Sequence, residues 1–296
     1  MLERNAGLRA PKIREAFNNL ERIYLTLTSA GCVALFLLVA RVMGWPVYLR
    51  AEASLLASAA PLAGVAGVTL GLMAAVILGS LFLGRLRYDA GLFVACIGLA
   101  SLAARGGTVG VMLRGVGKPQ VYLTLLLETA MLLGVLGLAW QLLAFLVPQG
   151  WLLPEPPRSE NELPGTLLQR IMATLVQATI TGLLILLLAQ VDNKKQIMAS
   201  VVIASMLGSI ASHQAFPVRP SAAFWVGPFL VGIVGYAWAW RSPGEWTIGL
   251  PPNALAMPSP LDYASLGTAG AIYGYWISRQ WRESASEIEL PEDALD

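Results

Sequence analysis

Residues 62–84 read LAGVAGVTLGLMAAVILGSLFLG, without a single Asp, Glu, Lys or Arg. About 20 such residues, each rising about 1.5 Å as a helix, cross a hydrocarbon core about 30 Å thick. A soluble helix keeps one polar face for water, and this stretch has none. The pattern recurs along the chain. Residues 23–40, 53–84, 171–191, 196–212 and 220–240 are all free of charged side chains. The spacing predicts an all-α fold, a polytopic transmembrane helix bundle rather than a soluble domain.

Composition agrees. Of 296 residues, 56% are hydrophobic and 13% charged, against about 25% charged in soluble domains. The net charge is +2 and its positive side chains are scattered, which argues against a nucleic-acid partner. Arginine outnumbers lysine 16 to 4 beside abundant Ala, Gly, Leu and Trp. That bias suggests GC-rich bacterial coding and an inner-membrane protein. Cys32 and Cys96 fall inside predicted spans, where lone cysteines behave as small hydrophobes, so no disulfide framework or metal cluster is implied. His213 is the single histidine. Histidine-rich metal chemistry and a two-histidine haem site on this chain are thereby excluded, and no cofactor is expected.

Three segments follow from the pattern. Residues 1–22 form an N-terminal basic segment, in which Ile13, Phe17, Leu20 and Tyr24 recur at helical spacing among charged neighbours. Such a segment suits the membrane surface, or is a solvated tail. No cleavable signal peptide is expected, because the first apolar run starts too deep and runs too long. Residues 23–280 are the transmembrane domain, and 281–296 an acidic tail expected to be disordered.

Eight spans are expected, at about 23–44, 62–84, 90–113, 121–147, 167–191, 196–213, 222–240 and 262–279. The third is the difficult one. Its first 15 apolar residues are short for a span, and reading on crosses Arg105 and Gly106-Gly107. If it does not cross, seven spans remain. The loop 148–165, PQGWLLPEPPRSENELPG, is dense in proline and should be irregular outside the membrane. With the N-terminus in the cytoplasm, twelve basic residues fall inside and seven outside, the sense of the positive-inside rule. The Lys194-Lys195 pair in a short outer turn runs against it.

Four constellations carry possible chemistry. Small residues recur at three- and four-residue spacing, as in Gly64, Gly67, Gly71, Ala75 and Gly79, in Ser205, Gly208, Ser209 and Ser212, and in Gly267, Gly270, Gly274 and Ser278. Such faces let backbones approach closely in lipid. Packing within one bundle explains them more simply than a homodimer seam. Arg170, Thr174, Gln177 and Thr181 stand at i, i+4, i+7 and i+11, on one helical face. An amide in hydrocarbon needs a partner, so this face should point into the bundle. It would serve interhelical hydrogen bonding or, more sharply, a transport path. His213, Gln214 and Arg219 lie near Pro217 and Pro220 and read as a surface corner. Finally, Arg105 and Glu128 would lie about 13 and 12 Å from the turn joining their helices if these form a hairpin. A charge in mid-span is costly, and an ion pair between the two is expected.

No catalytic motif accompanies these residues. The Gly-rich piece 106–118 fails the phosphate-loop pattern at Met112 and Pro119, and neither a zinc-protease nor a nucleophile-elbow signature occurs. The chain is expected to be a non-enzymatic membrane component acting through packing or partners. The alternatives are a small secondary transporter or channel using the polar faces of the third to fifth spans, and a membrane enzyme acting on lipid-linked substrates. Its expected partners are the lipid bilayer and a homo-oligomer or membrane complex.

Overall fold

The computed structural model describes residues 9–42, 53–58, 60–83, 89–116, 120–146, 165–219, 221–242 and 251–288, and the side chains of most of them. The loop 148–165 lies almost wholly outside that set. Among the described residues there are helices, turns and irregular segments but no strand. The fold is an all-α membrane helix bundle.

The helices are α1 (Arg9–Val42), α2 (Pro61–Leu83), α3 (Ala90–Ala103), α4 (Val109–Val116), α5 (Gln120–Leu146), α6 (Leu167–Leu188), α7 (Lys194–Ala215), α8 (Ala222–Trp225), α9 (Gly227–Arg241), α10 (Pro260–Asp262) and α11 (Thr268–Ile288). A π turn, Tyr263–Gly267, joins the last two. Six stretches are long and apolar enough to cross a membrane: Arg22–Val42, α2, Gln120–Phe145, α6, α7 and Ala222–Arg241.

The polarity of α6 shows which solvent surrounds the bundle. Leu183 and Leu187 are 57% and 71% exposed, while Gln177 and Thr181 on the opposite face are fully buried. Apolar residues outside and an amide inside invert the pattern of a water-soluble helix. The same holds for α1 and α2, which expose Leu27, Leu38, Leu62 and Leu70.

Side-chain contacts set the direction of each helix. We call the face from which α1 enters proximal and the other distal. Gly98 of α3 lies against Cys32 and Phe36 of α1, and Gly79 of α2 against Gly91 of α3. Those contacts run α1 and α3 together and α2 against them. α6 and α7 are antiparallel, since Ser212 donates to the Ala173 carbonyl and Thr181 to that of Ala204. α9 runs parallel to α6, with Thr174 bonded to Ala223 and Gly182 against Val231.

The segments expected as the third and last spans are the irregular ones. α3 starts at Asp89, whose carboxylate takes the Trp276 indole N–H at 2.8 Å. It stops at Ala103, and the chain turns through Arg105, Gly106 and Gly107 before α4 resumes. α4 then places Val109, Met112 and Leu113 in the distal core beside Tyr122, Ala239 and Ile197. Gly106 and Gly107 lie in the connection between the two helices.

The last helix runs beside α7 from end to end. Asp262 pairs with Lys194 at the distal face, and Ser278 meets His213 near the proximal one. Between them a Cβ on Gly270 would sit 2.6 Å from the Val202 carbonyl. One on Gly274 would overlap that of Met206. Only glycine admits so close a backbone approach. The small-residue face of this helix thus packs within the chain.

Two expectations need correction in detail. α1 is one unbroken helix from Arg9 to Val42, with no turn between the N-terminal segment and the span. α11 continues to Ile288, so the first half of the acidic tail is helical. A helix already nucleated in the bundle extends outward at little further cost.

Candidate functional site

Glu128 lies eight residues into α5, about 12 Å along the helix axis from its distal start, and is 0% exposed. Its Oε2 accepts the Ser54 hydroxyl and, at 3.2 Å, the Leu56 backbone N–H. Its Oε1 has no hydrogen-bond partner among the described residues. Ser54 and Leu55 belong to an irregular segment, 53–58, buried against the bundle ahead of α2. Non-helical backbone at membrane depth is tolerated only where protein or a polar cavity surrounds it. Here its free N–H is used on a carboxylate.

A second irregular segment, 251–259, closes the distal side. Asn253 caps the short 3-10 turn Ala254–Ala256 and donates to the Gly235 carbonyl at 3.2 Å. Three buried tyrosines stand between the two segments. Tyr236 donates to the Pro258 carbonyl, and Tyr263 donates to that of Leu255 at 2.8 Å. Their rings meet edge-on, with centroids 6.3 Å apart. Tyr263 opens the π turn, a wider coil that often marks working positions in helices.

At the mouth of this region Asp262 is 1% exposed and Lys194 16%. The ammonium reaches both carboxylate oxygens, at 2.8 and 2.9 Å. Ser259 adds two further donors, its backbone N–H at 2.8 Å and its hydroxyl at 2.9 Å. Ser259 and Asp262 form a reciprocal helix cap that starts the last span. The distal half of the bundle therefore holds a polar cluster of Ser54, Tyr122, Glu128, Tyr236, Ser259, Asp262, Tyr263 and Lys194.

The Arg105–Glu128 ion pair does not form. Arg105 lies in the turn after α3, held by Arg105 N–H to Leu102 and Gly106 N–H to Ala103, and its side chain is exposed. Depth along a helix axis says nothing about direction around it, and the break at Ala103 turns this residue away. Glu128 is served by a serine and a backbone amide instead.

The α6 stripe does face inward. Arg170 and Thr174 are half-buried, Gln177 and Thr181 fully buried. Thr174 donates at 2.6 Å to Ala223, and Thr181 at 3.3 Å to Ala204. Gln177 donates to Thr181 at 3.1 Å, while its Oε1 accepts nothing among the described residues. That oxygen occupies the space that a Cβ on Gly227 would fill. Interhelical hydrogen bonding thus accounts for Thr174 and Thr181, and Gln177 is bonded within its own helix.

The surface corner is corrected as well. His213 is fully buried, because α11 runs past the last turn of α7. Its Nδ1 lies 2.9 Å from the Ser278 hydroxyl, and Phe224 and Tyr275 meet its ring edge-on. Gln214 is exposed and donates to Ser278 at 2.9 Å, and Arg219 is half-buried. His213 and Gln214 meet on the Ser278 hydroxyl.

Sequence reading passed over Ser54, Lys194, Asp262, Tyr236 and Tyr263. One local signal was available. Ser259-Pro-Leu-Asp262 has the spacing of a helix cap with proline at the first helical position. Among the described residues no group of three His, Cys, Asp or Glu side chains is arranged to hold a metal ion. Comparison with protein-family models, with curated proteins and with solved structures finds no match.

Proposed function

We propose that this protein is a small secondary transporter whose working centre is the polar cluster around Glu128. The observation that carries the reading is a fully buried carboxylate satisfied on one oxygen and open on the other. Ionisable groups inside spans are costly and mark ion or solute pathways by default. Transporters place their sites near mid-membrane, beside interrupted helices and irregular backbone. The α3–α4 break, the α8–α9 break before Pro228 and the π turn are such interruptions. In this reading the third and last spans cross with the six long ones, giving eight crossings with both termini at the proximal face. The basic-residue count puts that face in the cytoplasm of the cell.

The reading displaces the purely structural one that the sequence favours, because a packing role leaves an open buried carboxylate unexplained. It assigns no catalysis to the chain. A transporter must admit water to its centre, whereas a sealed bundle does not. The test is Ser54→Cys in the full-length protein in liposomes, treated with a small charged thiol reagent. Modification in the folded protein is expected. A thiol that reacts only after denaturation would return the chain to the structural reading. A cysteine at Asn5, labelled by an impermeant reagent in intact cells, would reverse the assigned orientation.

A further inference from the structure

We infer that the ion handled at Glu128 is a proton, carried on its carboxyl group, and not a metal cation; this rests on the transporter reading. The donors around Glu128 define its chemistry. Ser54 O–H and Leu56 N–H both point at Oε2, so that oxygen is already the acceptor. Oε1 is enclosed and unpartnered among the described residues. A metal cation bound there would need several oxygen ligands turned towards it, and the immediate neighbours present hydrogens instead. A proton needs no coordination shell. Placed on Oε1, it removes the charge while Oε2 keeps both of its hydrogen bonds.

The other ionisable groups around Glu128 fit the assignment. Tyr122 lies on the same helix, and Tyr236 of α9 and Asp262 and Tyr263 at the start of the last helix belong to elements packed against α5. Both Tyr236 and Tyr263 spend their hydroxyl hydrogens on carbonyls. The negative charge of Asp262 is matched by Lys194. α2 carries no ionisable side chain, and α3 only Cys96. None of these brings a positive charge to Glu128.

Dicyclohexylcarbodiimide tests this, because it adds to a carboxylic acid and not to a carboxylate. The acid proton moves to one carbodiimide nitrogen, the carboxyl oxygen bonds the central carbon, and rearrangement gives a stable N-acylurea with nothing lost. The full-length protein in liposomes is treated across a pH series, in sodium, potassium or choline chloride, and the adduct is located by mass spectrometry. An adduct on Glu128 that falls about tenfold per pH unit above its midpoint, equally in all three salts, is the expected result. Protection by sodium or potassium at constant pH would make Glu128 a metal-cation site and overturn the proton, leaving transport standing. No adduct at any pH, with Ser54→Cys still open to the thiol reagent, would mean a carboxylate that never takes up a proton and would end the inference alone. No adduct and a closed Ser54→Cys together would end both readings.

Discussion

Asp262 and Glu128 are both acidic side chains withdrawn almost completely from solvent, at 1% and 0% exposure, yet they are held in opposite ways. Both oxygens of Asp262 take donors, from the Lys194 ammonium and from the backbone and hydroxyl of Ser259. Glu128 receives two donors on one oxygen, and among the described residues the other oxygen has no hydrogen-bond partner and no cation pairs with the group. Asp262 sits at a helix start, where a carboxylate is favoured by the unpaired N–H groups. Glu128 sits in the middle of α5, where the helix offers it nothing. A fully satisfied charge rigidifies the place it occupies, whereas a half-satisfied one is free to exchange what it binds. On the proposed transporter reading the first is architecture and the second is the working group.

The largest effect should therefore fall on the saturated carboxylate. Lys194→Met removes the counter-ion and strands Asp262 with Ser259 alone, and breaking a buried pair from one side costs about 3–5 kcal/mol. The partial exposure of Lys194 places this protein at the lower end of that range. Thermal or denaturant unfolding in detergent should show a large loss, and adding Asp262→Asn should recover part of it. Without recovery, the loss would belong to packing of the lysine stem rather than to the ion pair.

Next comes the seam that joins the two regions. Gly274→Ala places a methyl group on the Met206 carbonyl, and neither backbone can yield without parting α7 from α11. Overpacking of this kind costs about 1–3 kcal/mol. A variant as stable as the parent would show that the close approach of the two helices is looser than the contact implies.

The sequence made one of these regions far more readable than the other. Uncharged runs locate five of the six long spans, because hydropathy acts locally. The stripe of Thr174, Gln177 and Thr181 follows from helical periodicity and one rule about amides in lipid. Glu128 stood out as a lone acid in an apolar run. Its partner did not, because Ser54 lies 74 residues away in a segment with no periodicity to orient it. Arg105 was the plausible cation on depth alone, and depth leaves the direction around the helix open. Asp262 and Lys194 read as residues of two separate turns, and only the course of the last helix along α7 brings them together. Long-range pairing between irregular segments has no signature in one sequence.

Smaller effects separate the two carboxylates further. Ser54→Ala removes the hydroxyl donor to Glu128 and the acceptor for the Ala57 N–H. A single lost hydrogen bond of this kind changes stability by about 1 kcal/mol. Unfolding measurements should place this variant clearly between Lys194→Met and the parent. A loss as large as that of Lys194→Met would mean that Ser54 anchors the whole 53–58 segment, and that Glu128 is bound more tightly than its two donors suggest.

The smallest expected effect is the most informative. Glu128→Gln keeps the size of the side chain and an acceptor oxygen for Ser54 and Leu56. It replaces one unpartnered oxygen by one unpartnered amide. If the carboxyl is protonated in the folded protein, this exchanges one neutral group for another, and stability should stay within about 0.5 kcal/mol of the parent. Had an Arg105 ion pair been present, the same substitution would have stranded the arginine and cost several times more. The exposed Arg105 has no such dependence, so Arg105→Gln should be equally silent. The test is unfolding of both variants beside the parent at one pH, together with the carbodiimide adduct, which Glu128→Gln must abolish. A marked loss of stability in Glu128→Gln would show that the site holds a charge in the folded state. The contrast between a saturated structural carboxylate and an open working one would then collapse.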